Sequence, residues 1–530
     1  MRKIGKLLYT VLCLMLMLAL LAGCAGAGTV ATTPSATETT APEGTSATTS
    51  AVETTTASEA TTEATTEATT AEELEPVEIN WYVVNTPQPD TDKVLEAVNN
   101  MLGERTSINA TLKLNVLDWG TYQDRINVLL QSGEPMDLMF TCGWINSFTA
   151  LAGRDALYPM DDLLAQYGQD IYTYVPAKYF EATRIGGKIR AVPNYQGYPQ
   201  IKGLDFRADL VEKYGFDYKS VKTPADLEAY FATINEKEPG VTAFLPGVDS
   251  GILNLSDTAG KFDGLPEGIA YDIANDKLLN SLDVPDSLYT RLHDWYTKGY
   301  IAKDAASRTV YGDEIKSGNY AVWMNSSYMD DGAKSSSDFG FKVYSIPYVT
   351  QSPITTGMVQ VCLTAIPSTS QYPDRAMMLL NAVFADQEIY NTLVYGVEGT
   401  HWAWNADKTF VEPVENNAYA SPIGYQLGSA FRKYPNASET AEVLQYQESL
   451  NESVPPSPIL GFSFDTTPVK NECAQIDAIV AEVSPLLYTG TNDPAELITQ
   501  LKERLDKAGW QKVFEECQKQ LDDWKAANGK

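Results

Sequence analysis

Histidine is almost absent from this chain of 530 residues, which contains only His293 and His401 beside six cysteines. No two cysteines stand at a CxxC or similar spacing, so the sequence predicts no zinc site and no other metal site. The chain also lacks a GxSxG elbow, an HExxH helix, a Walker-type loop and a GxGxxG turn. We therefore expect a protein without a cofactor that is not an enzyme.

Positive charge is scarce as well. The sequence has 39 Lys and Arg against 69 Asp and Glu, which gives a formal net charge of -30. A surface with this charge repels a phosphate backbone. We therefore expect no nucleic-acid partner.

A long hydrophobic run occurs at the N-terminus and does not recur in the rest of the chain. Residues 7–22 are largely apolar, follow Arg2, Lys3 and Lys6, and end in the motif Leu21-Ala22-Gly23-Cys24. This pattern predicts a lipoprotein signal peptide over residues 1–23, with a diacylglycerol on the thiol of Cys24. An uncleaved membrane helix is the alternative, and it also leaves the body of the chain outside the cell. We expect a lipid-anchored protein on the extracellular face of the cell membrane.

Large apolar residues are nearly missing from residues 24–76. This segment consists mainly of Thr, Ala, Ser and Glu and contains no Lys or Arg. Such a composition buries too little apolar surface to offset the entropy of ordering the chain. We interpret it as a disordered tether between the lipidated cysteine and a folded part that begins at residue 77.

Strand and helix patterns alternate in the first part of the folded chain. Strands are predicted over 77–84, 113–117 and 137–140, with helices over 92–106 and 122–132 between them. This order indicates an α/β fold with a parallel sheet. Ligands bind beyond the carboxyl ends of such strands. The loops that hold Asn85, Trp119 and Trp144 are therefore candidates for lining a cleft.

Further signals follow along the chain. Thr223 is predicted to cap a helix that starts at Pro224, and one helix is predicted from near Asp374 to about Leu393. The chain ends in helical patterns over 469–487, 494–508 and 510–527. Cys473 and Cys517 lie on two of these helices, and either they form a disulfide or they stay free thiols.

Several short segments together resemble a known family. They are GEPMDL at 133–138, the run 204–215, TPADL at 223–227 followed by PGVT at 239–242, and AIP at 365–367 followed by PDRAM at 373–377. Their order resembles the extracellular solute-binding proteins of ABC importers, of the carbohydrate type. The segments 395–402, 461–472 and 507–521 resemble the LipO-like lipoprotein branch of that family.

The resemblance implies an α/β, two-lobed periplasmic-binding-protein-like fold of class II type, with hinge strands between the lobes and the ligand in the cleft. It implies lobe 1 over 77–192, mainly lobe 2 over 193–360, a return to lobe 1 over 361–395, and a mainly helical part over 396–530 that completes lobe 2. The crossings are expected near 189–195 and 360–367. The implied function is that of a monomer that captures a small-molecule solute, an oligosaccharide, and delivers it to an ABC permease. Peptides or charged sugars are alternative ligands, and a secreted carbohydrate-active enzyme or a surface adhesin are alternative functions.

A sugar presents apolar C–H faces and a rim of hydroxyl groups, so its site needs aromatic faces and a few planar polar side chains. The aromatic candidates are Trp119, Trp144, Tyr195, Tyr198, Trp323, Tyr328 and Trp402, and each of them is otherwise a packed aromatic that holds a loop. The polar candidates are Asn85, Arg207, Glu398, His401 and Asp465. Arg207 either donates to the ligand or pairs with Asp209 or Asp205. Glu398 and His401 either bind the ligand or form a turn that packs the lobe.

Overall fold

The structure is a computed structural model that describes residues 74–199, 202–247, 250–256, 261–284, 287–308, 312–326, 330–347, 353–420 and 423–530. The predicted signal peptide, Cys24 and nearly all of the tether lie outside the described residues, as does Tyr328.

The first lobe contains a five-stranded sheet. In spatial order its strands are Ala110–Leu117, Val77–Val84, Leu138–Thr141, Leu363–Ala365 and Val192–Pro193. The first three strands are parallel and the last two pair antiparallel. Ile79, Trp81 and Val83 are fully buried, as expected for a parallel strand covered by helices on its faces.

The first lobe also contains helices, of which those predicted over 92–106 and 122–132 are found within a residue of their bounds. The helices of this lobe are Thr91–Arg105, Tyr122–Ser132, Phe148–Gly153, Asp161–Tyr167, Gln169–Tyr174, Thr356–Val359, Pro373–Ala385, Gln387–Tyr395 and Ala441–Ser453. The prediction of one continuous helix from Asp374 to Leu393 is wrong. Asp386 has an extended backbone, and its carboxylate accepts hydrogen bonds from the Glu388 and Ile389 N–H groups at 2.9 and 3.1 Å. It therefore caps a second helix.

The second lobe has a four-stranded sheet and its own core. The strands are, in spatial order, Val343–Pro347, Lys202–Arg207, Tyr320–Ser326 and Thr242–Leu245. Its helices are Ala208–Tyr214, Glu228–Lys237, Leu288–Thr297, Gly312–Lys316 and Ala333–Phe339. The predicted cap at Thr223 is found at the entrance to a 3-10 turn, Pro224–Leu227, and the Asp226 carboxylate accepts from the Thr223 N–H at 2.8 Å.

Three C-terminal helices form a bundle, which we call the C-terminal bundle: Lys470–Tyr488, Pro494–Lys507 and Trp510–Ala527. They share a core with the antiparallel strands Phe262–Gly264, Ile269–Asp272 and Lys277–Asn280. Tyr488 stacks on Tyr289 of the second lobe at 6.4 Å between ring centroids. Cys473 and Cys517 lie in this bundle and both are free thiols, as are Cys142 and Cys362.

The segment before the bundle belongs to the other lobe. The sequence analysis assigned all of 396–530 to lobe 2, but Tyr419, Ile423, Leu427, Leu450 and Val454 are buried in the core of the first lobe. The second-lobe assignment therefore fits the bundle and not residues 396–454. Helical pattern and chain order indicate that a segment is buried, but they do not say which core receives it.

Within the described residues, the chain leaves the first lobe at Pro199 and enters the second-lobe sheet at Lys202, then leaves that sheet at Pro347 and is in the first lobe again at Ile354. A third crossing, over 454–470, leads from the first lobe to the C-terminal bundle. The first crossing lies a few residues after its expected position, 189–195, because Val192–Pro193 still pairs within the first-lobe sheet. The second lies before its expected position, 360–367, because Leu363–Ala365 already pairs within that sheet. The Tyr198 N–H donates to Asn451 Oδ1 at 2.9 Å, and Asn451 Nδ2 donates to the Gln196 carbonyl at 2.7 Å. The Ile354 N–H donates to the Pro455 carbonyl at 2.9 Å. The first two bonds attach the first crossing to the helix Ala441–Ser453, and the third joins the second crossing to the third.

Candidate functional site

A cleft of about 1290 Å³ lies between the lobes. The first lobe supplies most of its wall, from the first crossing and from the region between the helix Gln387–Tyr395 and the helix Ala441–Ser453. The second lobe supplies one face of the helix Ala333–Phe339, through Ala333, Lys334 and Ser337.

Aromatic side chains line the first-lobe wall of this cleft. They are Tyr390, Tyr395, Trp402, Tyr419 and Tyr425. Trp402 is only 5% exposed, because its ring packs against Tyr395, Trp404 and Tyr434 and its Nε1 donates to the Gly396 carbonyl at 2.8 Å. It therefore offers an edge to the cleft and not an open face.

His401 reaches the cleft from a turn that it holds together. Its Nδ1 accepts from the Val397 N–H at 2.8 Å, so the proton is assigned to Nε2, which lies 3.1 Å from the Asp90 carboxylate. This hydrogen bond, with that from Lys93, lowers the pKa of Asp90. Gly396 has φ +84°, and a Cβ there would lie 2.5 Å from His401 Nδ1, so the turn requires glycine. These contacts support the interpretation that His401 forms a turn that packs the lobe.

Both lysines that line the cleft are paired with carboxylates, whereas Glu412 on the same wall is exposed. Lys433 Nζ lies 2.6 Å from the Glu439 carboxylate, which also accepts from Asn436 Nδ2 at 3.3 Å. Burial acts to raise the pKa of Glu439, but Lys433 and Asn436 outweigh it, so the pKa lies below its ordinary value. Lys334 of the second lobe pairs with Asp338, one turn along its own helix.

Planar amides complete the polar lining. Gln196 lines the cleft at the first crossing, where its side chain also hydrogen-bonds Cys362. Gln447 faces the same crossing, where Gly197 leaves room for its side chain. Amides of this kind donate to and accept from sugar hydroxyls.

A buried carboxylate positions the second-lobe helix. Asp205 is fully buried and accepts from Ser335 Oγ at 2.6 Å and from Asn325 Nδ2 at 2.9 Å. Burial raises the pKa of Asp205, and these hydrogen bonds offset part of the effect. Because Ser335 follows Lys334 directly, this network fixes the helix that faces the cleft.

Of the predicted site residues that the structure describes, His401 and Trp402 lie in the cleft lining and the others do not. Asn85, Tyr195, Tyr198 and Trp323 are buried in the interior of their lobes. Tyr195 and Tyr198 pack with Tyr179 near the first crossing, and Trp323 packs against Phe339 and Phe341.

Three other predicted residues lie at the surface, away from the cleft lining. Arg207 pairs with Asp209 at 2.9 Å and also donates to the Gly318 carbonyl. Glu398 is exposed on its turn, and Asp465 is exposed beside the C-terminal bundle, where it accepts from the Thr467 N–H. Of the alternatives for Arg207, the structure has the pair with Asp209.

Trp119 and Trp144 lie outside the residues that line the cleft, yet they are 44% and 51% exposed and stack on each other. Sequence reasoning missed Gln196, Lys334, Lys433, Glu439 and Gln447. No local motif marks them, because three segments distant in sequence bring them together.

Known proteins share this architecture. A family model described as "Domain of unknown function (DUF3502)" matches residues 458–526, which span the C-terminal bundle. A curated "Carbohydrate ABC transporter substrate-binding protein" from Streptococcus pneumoniae serotype 4 (strain ATCC BAA-334 / TIGR4) is 28% identical over 459 residues, which are 84% of this chain and 90% of the relative. This chain is related to the solute-binding proteins of carbohydrate ABC importers.

Solved structures agree. The N-glycan transport solute binding protein (NgtS) from Streptococcus pneumoniae is 26% identical, and its crystal structure superimposes with a TM-score of 0.74 over 85% of this chain and 99% of that chain. Its complex with Man5GlcNAc gives a TM-score of 0.61 over 85% and 98% of the two chains. The two-lobed fold and the family resemblance predicted from the sequence are confirmed. These relatives are transport proteins and not enzymes, so solute binding is confirmed as the class of function.

The described residues contain no group of three or more His, Cys, Asp or Glu side chains arranged to hold a metal ion. In the same part of the chain, no helix is both long enough and apolar enough to span a bilayer.

Proposed function

We propose that this chain captures a neutral oligosaccharide of the N-glycan class in the interlobe cleft and delivers it to an ABC permease. In this proposal the protein works as a monomer on the outer face of the cell membrane, anchored through a lipid on Cys24. The observation that carries it is the cleft itself, an aromatic and amide-rich space formed by both lobes.

The size and lining of the cleft support a ligand of several sugar units. Pockets for small ligands measure roughly 300–1,000 Å³, and this cleft, at about 1290 Å³, is larger. Tyr395 and Tyr425, the lining tyrosines that are partly exposed, offer rings to sugar C–H groups. Gln196 and Gln447 offer amides to hydroxyls. The relatives that carry the same fold include a protein named for N-glycan transport.

The charges support a neutral ligand over an acidic one. Lys433 is neutralised by Glu439, and Lys334 by Asp338. Arg207, which would favour an acidic sugar, is paired with Asp209 away from the cleft lining. An anionic ligand would have to break one of these pairs and leave a carboxylate exposed to repulsion.

A ligand that contacts both lobes stabilises the closed form of the cleft. A ligand shifts an open–closed equilibrium only by its differential affinity for the two states. This chain superimposes on the relative with a TM-score of 0.74, but on its Man5GlcNAc complex with 0.61 at the same 26% identity. This supports an arrangement of lobes in this structure that differs from the glycan-bound one.

Isothermal titration calorimetry on residues 74–530 with mannose-containing oligosaccharides tests the ligand. We expect binding of these glycans and none of uronic-acid oligosaccharides or short peptides. Gln447→Ala should weaken glycan binding roughly three- to tenfold, since it loses about one hydrogen bond. Gln445→Ala, an exposed position on the same helix, is the matched control and should bind normally. Binding of peptides or acidic sugars alone would overturn the proposed ligand.

The anchor is tested separately in cells. Cys24→Ala should move the protein from the membrane fraction to the medium or leave an unprocessed precursor. Normal membrane retention of mature Cys24→Ala protein would contradict lipidation at this residue.

A further inference from the structure

Two tryptophans form an exposed stacked pair on the first lobe. Trp119 and Trp144 have ring centroids 5.9 Å apart and planes 23° apart, and they are 44% and 51% exposed. Single exposed aromatics are ordinary on protein surfaces, but two adjacent indoles present a joined apolar face that water solvates poorly. We call this surface the Trp119–Trp144 platform.

The platform is held firmly by the sheet beneath it. Trp119 follows the strand Ala110–Leu117, and Trp144 follows the strand Leu138–Thr141. In the sheet, the strand Val77–Val84 lies between these two strands. Trp144 Nε1 donates to the Val361 carbonyl at 2.8 Å, and its ring packs on Phe140 at 5.9 Å. Its only polar atom is thus already bonded to protein, and the exposed part of the ring is left for apolar contact.

The platform lies close to the cleft. The Phe140 ring, which contacts Trp144, also meets the ring of Tyr425 edge-on at 6.0 Å and 89°. Tyr425 lines the cleft. Phe140 is fully buried, so one buried ring separates Tyr425 of the cleft wall from the exposed Trp144, near the edge of the sheet where the parallel strands end.

We propose that the Trp119–Trp144 platform is a second sugar subsite, which stacks against one pyranose ring of an oligosaccharide whose other units occupy the cleft. The inference rests on the proposed function and adds a length requirement to it. A pyranose offers an apolar C–H face that an indole face matches. The platform therefore contributes affinity only for glycans long enough to extend beyond the cleft.

The test compares a short and a long glycan on the same variants. Calorimetric titrations of wild type, Trp119→Ala, Trp144→Ala and the double variant would use Man1GlcNAc and Man5GlcNAc as probes. We expect affinity for Man5GlcNAc to fall roughly tenfold in each single variant, with affinity for Man1GlcNAc unchanged. Trp144→Phe should restore most of the loss. Tyr172→Ala, an aromatic that is 41% exposed elsewhere on the first lobe, is the control and should bind both glycans normally.

Tryptophan fluorescence gives an independent readout. Man5GlcNAc should change the emission of the wild type, and the change should be smaller in the double variant, whereas Man1GlcNAc should affect both proteins equally. If the variants lose affinity for both glycans equally, or for neither, the second subsite is wrong while glycan binding stands. If the folded wild type binds no glycan, the proposed ligand fails and the subsite fails with it.

Discussion

The two lobes present different surfaces to the cleft. The first lobe contributes a wall of tyrosines and the amides and charges of its loops, whereas the second contributes one face of the helix Ala333–Phe339. Tryptophans near strand ends follow the same division. Trp144 of the first lobe is 51% exposed, but Trp323 of the second lobe is 1% exposed within its core. This asymmetry is the one expected if the first lobe recognises the ligand and the second closes over it.

The same substitution in the two lobes should separate these roles most clearly. Trp323→Ala removes a buried ring between Phe339 and Phe341, so we expect the free energy of unfolding to fall by about 3–5 kcal/mol. Trp144→Ala removes a half-exposed ring and should cost about 1 kcal/mol or less. Urea unfolding of both variants measures the difference. Equal losses in the two variants would contradict the division into a packing tryptophan and a binding tryptophan.

The free energy of unfolding should depend on pH through a buried carboxylate, Asp263, on the strand Phe262–Gly264 beside the C-terminal bundle. Burial raises the pKa of Asp263 to about 6, with Ser457 offsetting part of the effect. Unfolded Asp titrates near pH 4, so folding stability falls as the pH rises from about 4 to about 6, by roughly 2–3 kcal/mol. Asp263→Asn removes this loss. The variant should gain stability relative to wild type between pH 4 and pH 7.

Urea unfolding at a series of pH values measures that gain. Glu503→Gln, an exposed position in the C-terminal bundle, controls for the loss of one negative charge and should follow the wild type. A stability difference between Asp263→Asn and wild type that does not change with pH would show that Asp263 is charged at little cost in the folded protein.

The paired carboxylate of the first-lobe cleft should respond in the opposite direction. Although burial acts to raise it, the pKa of Glu439 is lowered, by Lys433 and Asn436. The pair therefore stabilises the fold above the pKa of unfolded Glu, and this contribution is lost as the pH falls through the lowered folded value. Glu439→Gln should cost about 1 kcal/mol at pH 7 and less at pH 4. A double-mutant cycle with Lys433→Met measures the coupling free energy between Lys433 and Glu439. A value near zero at pH 7 would contradict a stabilising ion pair.

Local patterns in the sequence predicted part of the first lobe and the helices of the C-terminal bundle. The strand over residues 77–84, the helix over 122–132 and the three C-terminal helices appear within a residue or two of their predicted bounds. These elements have a strong hydrophobic period, and the helix Pro494–Lys507 also has a side-chain cap at Asp493. Both are properties of neighbouring residues. Trp119 and Trp144 are exposed on loops after parallel strands, because strand ends carry their loops to one edge of the sheet, but they lie outside the lining of the cleft that they were predicted to line.

The candidate site was predicted far less well. Trp323 has the same chemistry as Trp144. In the second lobe, however, the rings of Phe339 and Phe341 pack over Trp323 and cover it. Arg207 has a carboxylate partner two residues away, and local pairing removes it from the site. Exposure of an aromatic or a cation depends on which segment packs over it, and no local pattern reports that.

The sequence by itself predicted several strands and helices and, through the resemblance of short segments, the two-lobed family, while the export signal and Cys24 stay predictions. Each depends on residues near one another in the chain. Only the tertiary structure decided that residues 396–454 join the first lobe and that Gln196, Lys334, Glu439 and Gln447 face one cleft. The physical reason is that burial and cleft formation are contacts between segments hundreds of residues apart, chosen by complementary shape and shared apolar surface.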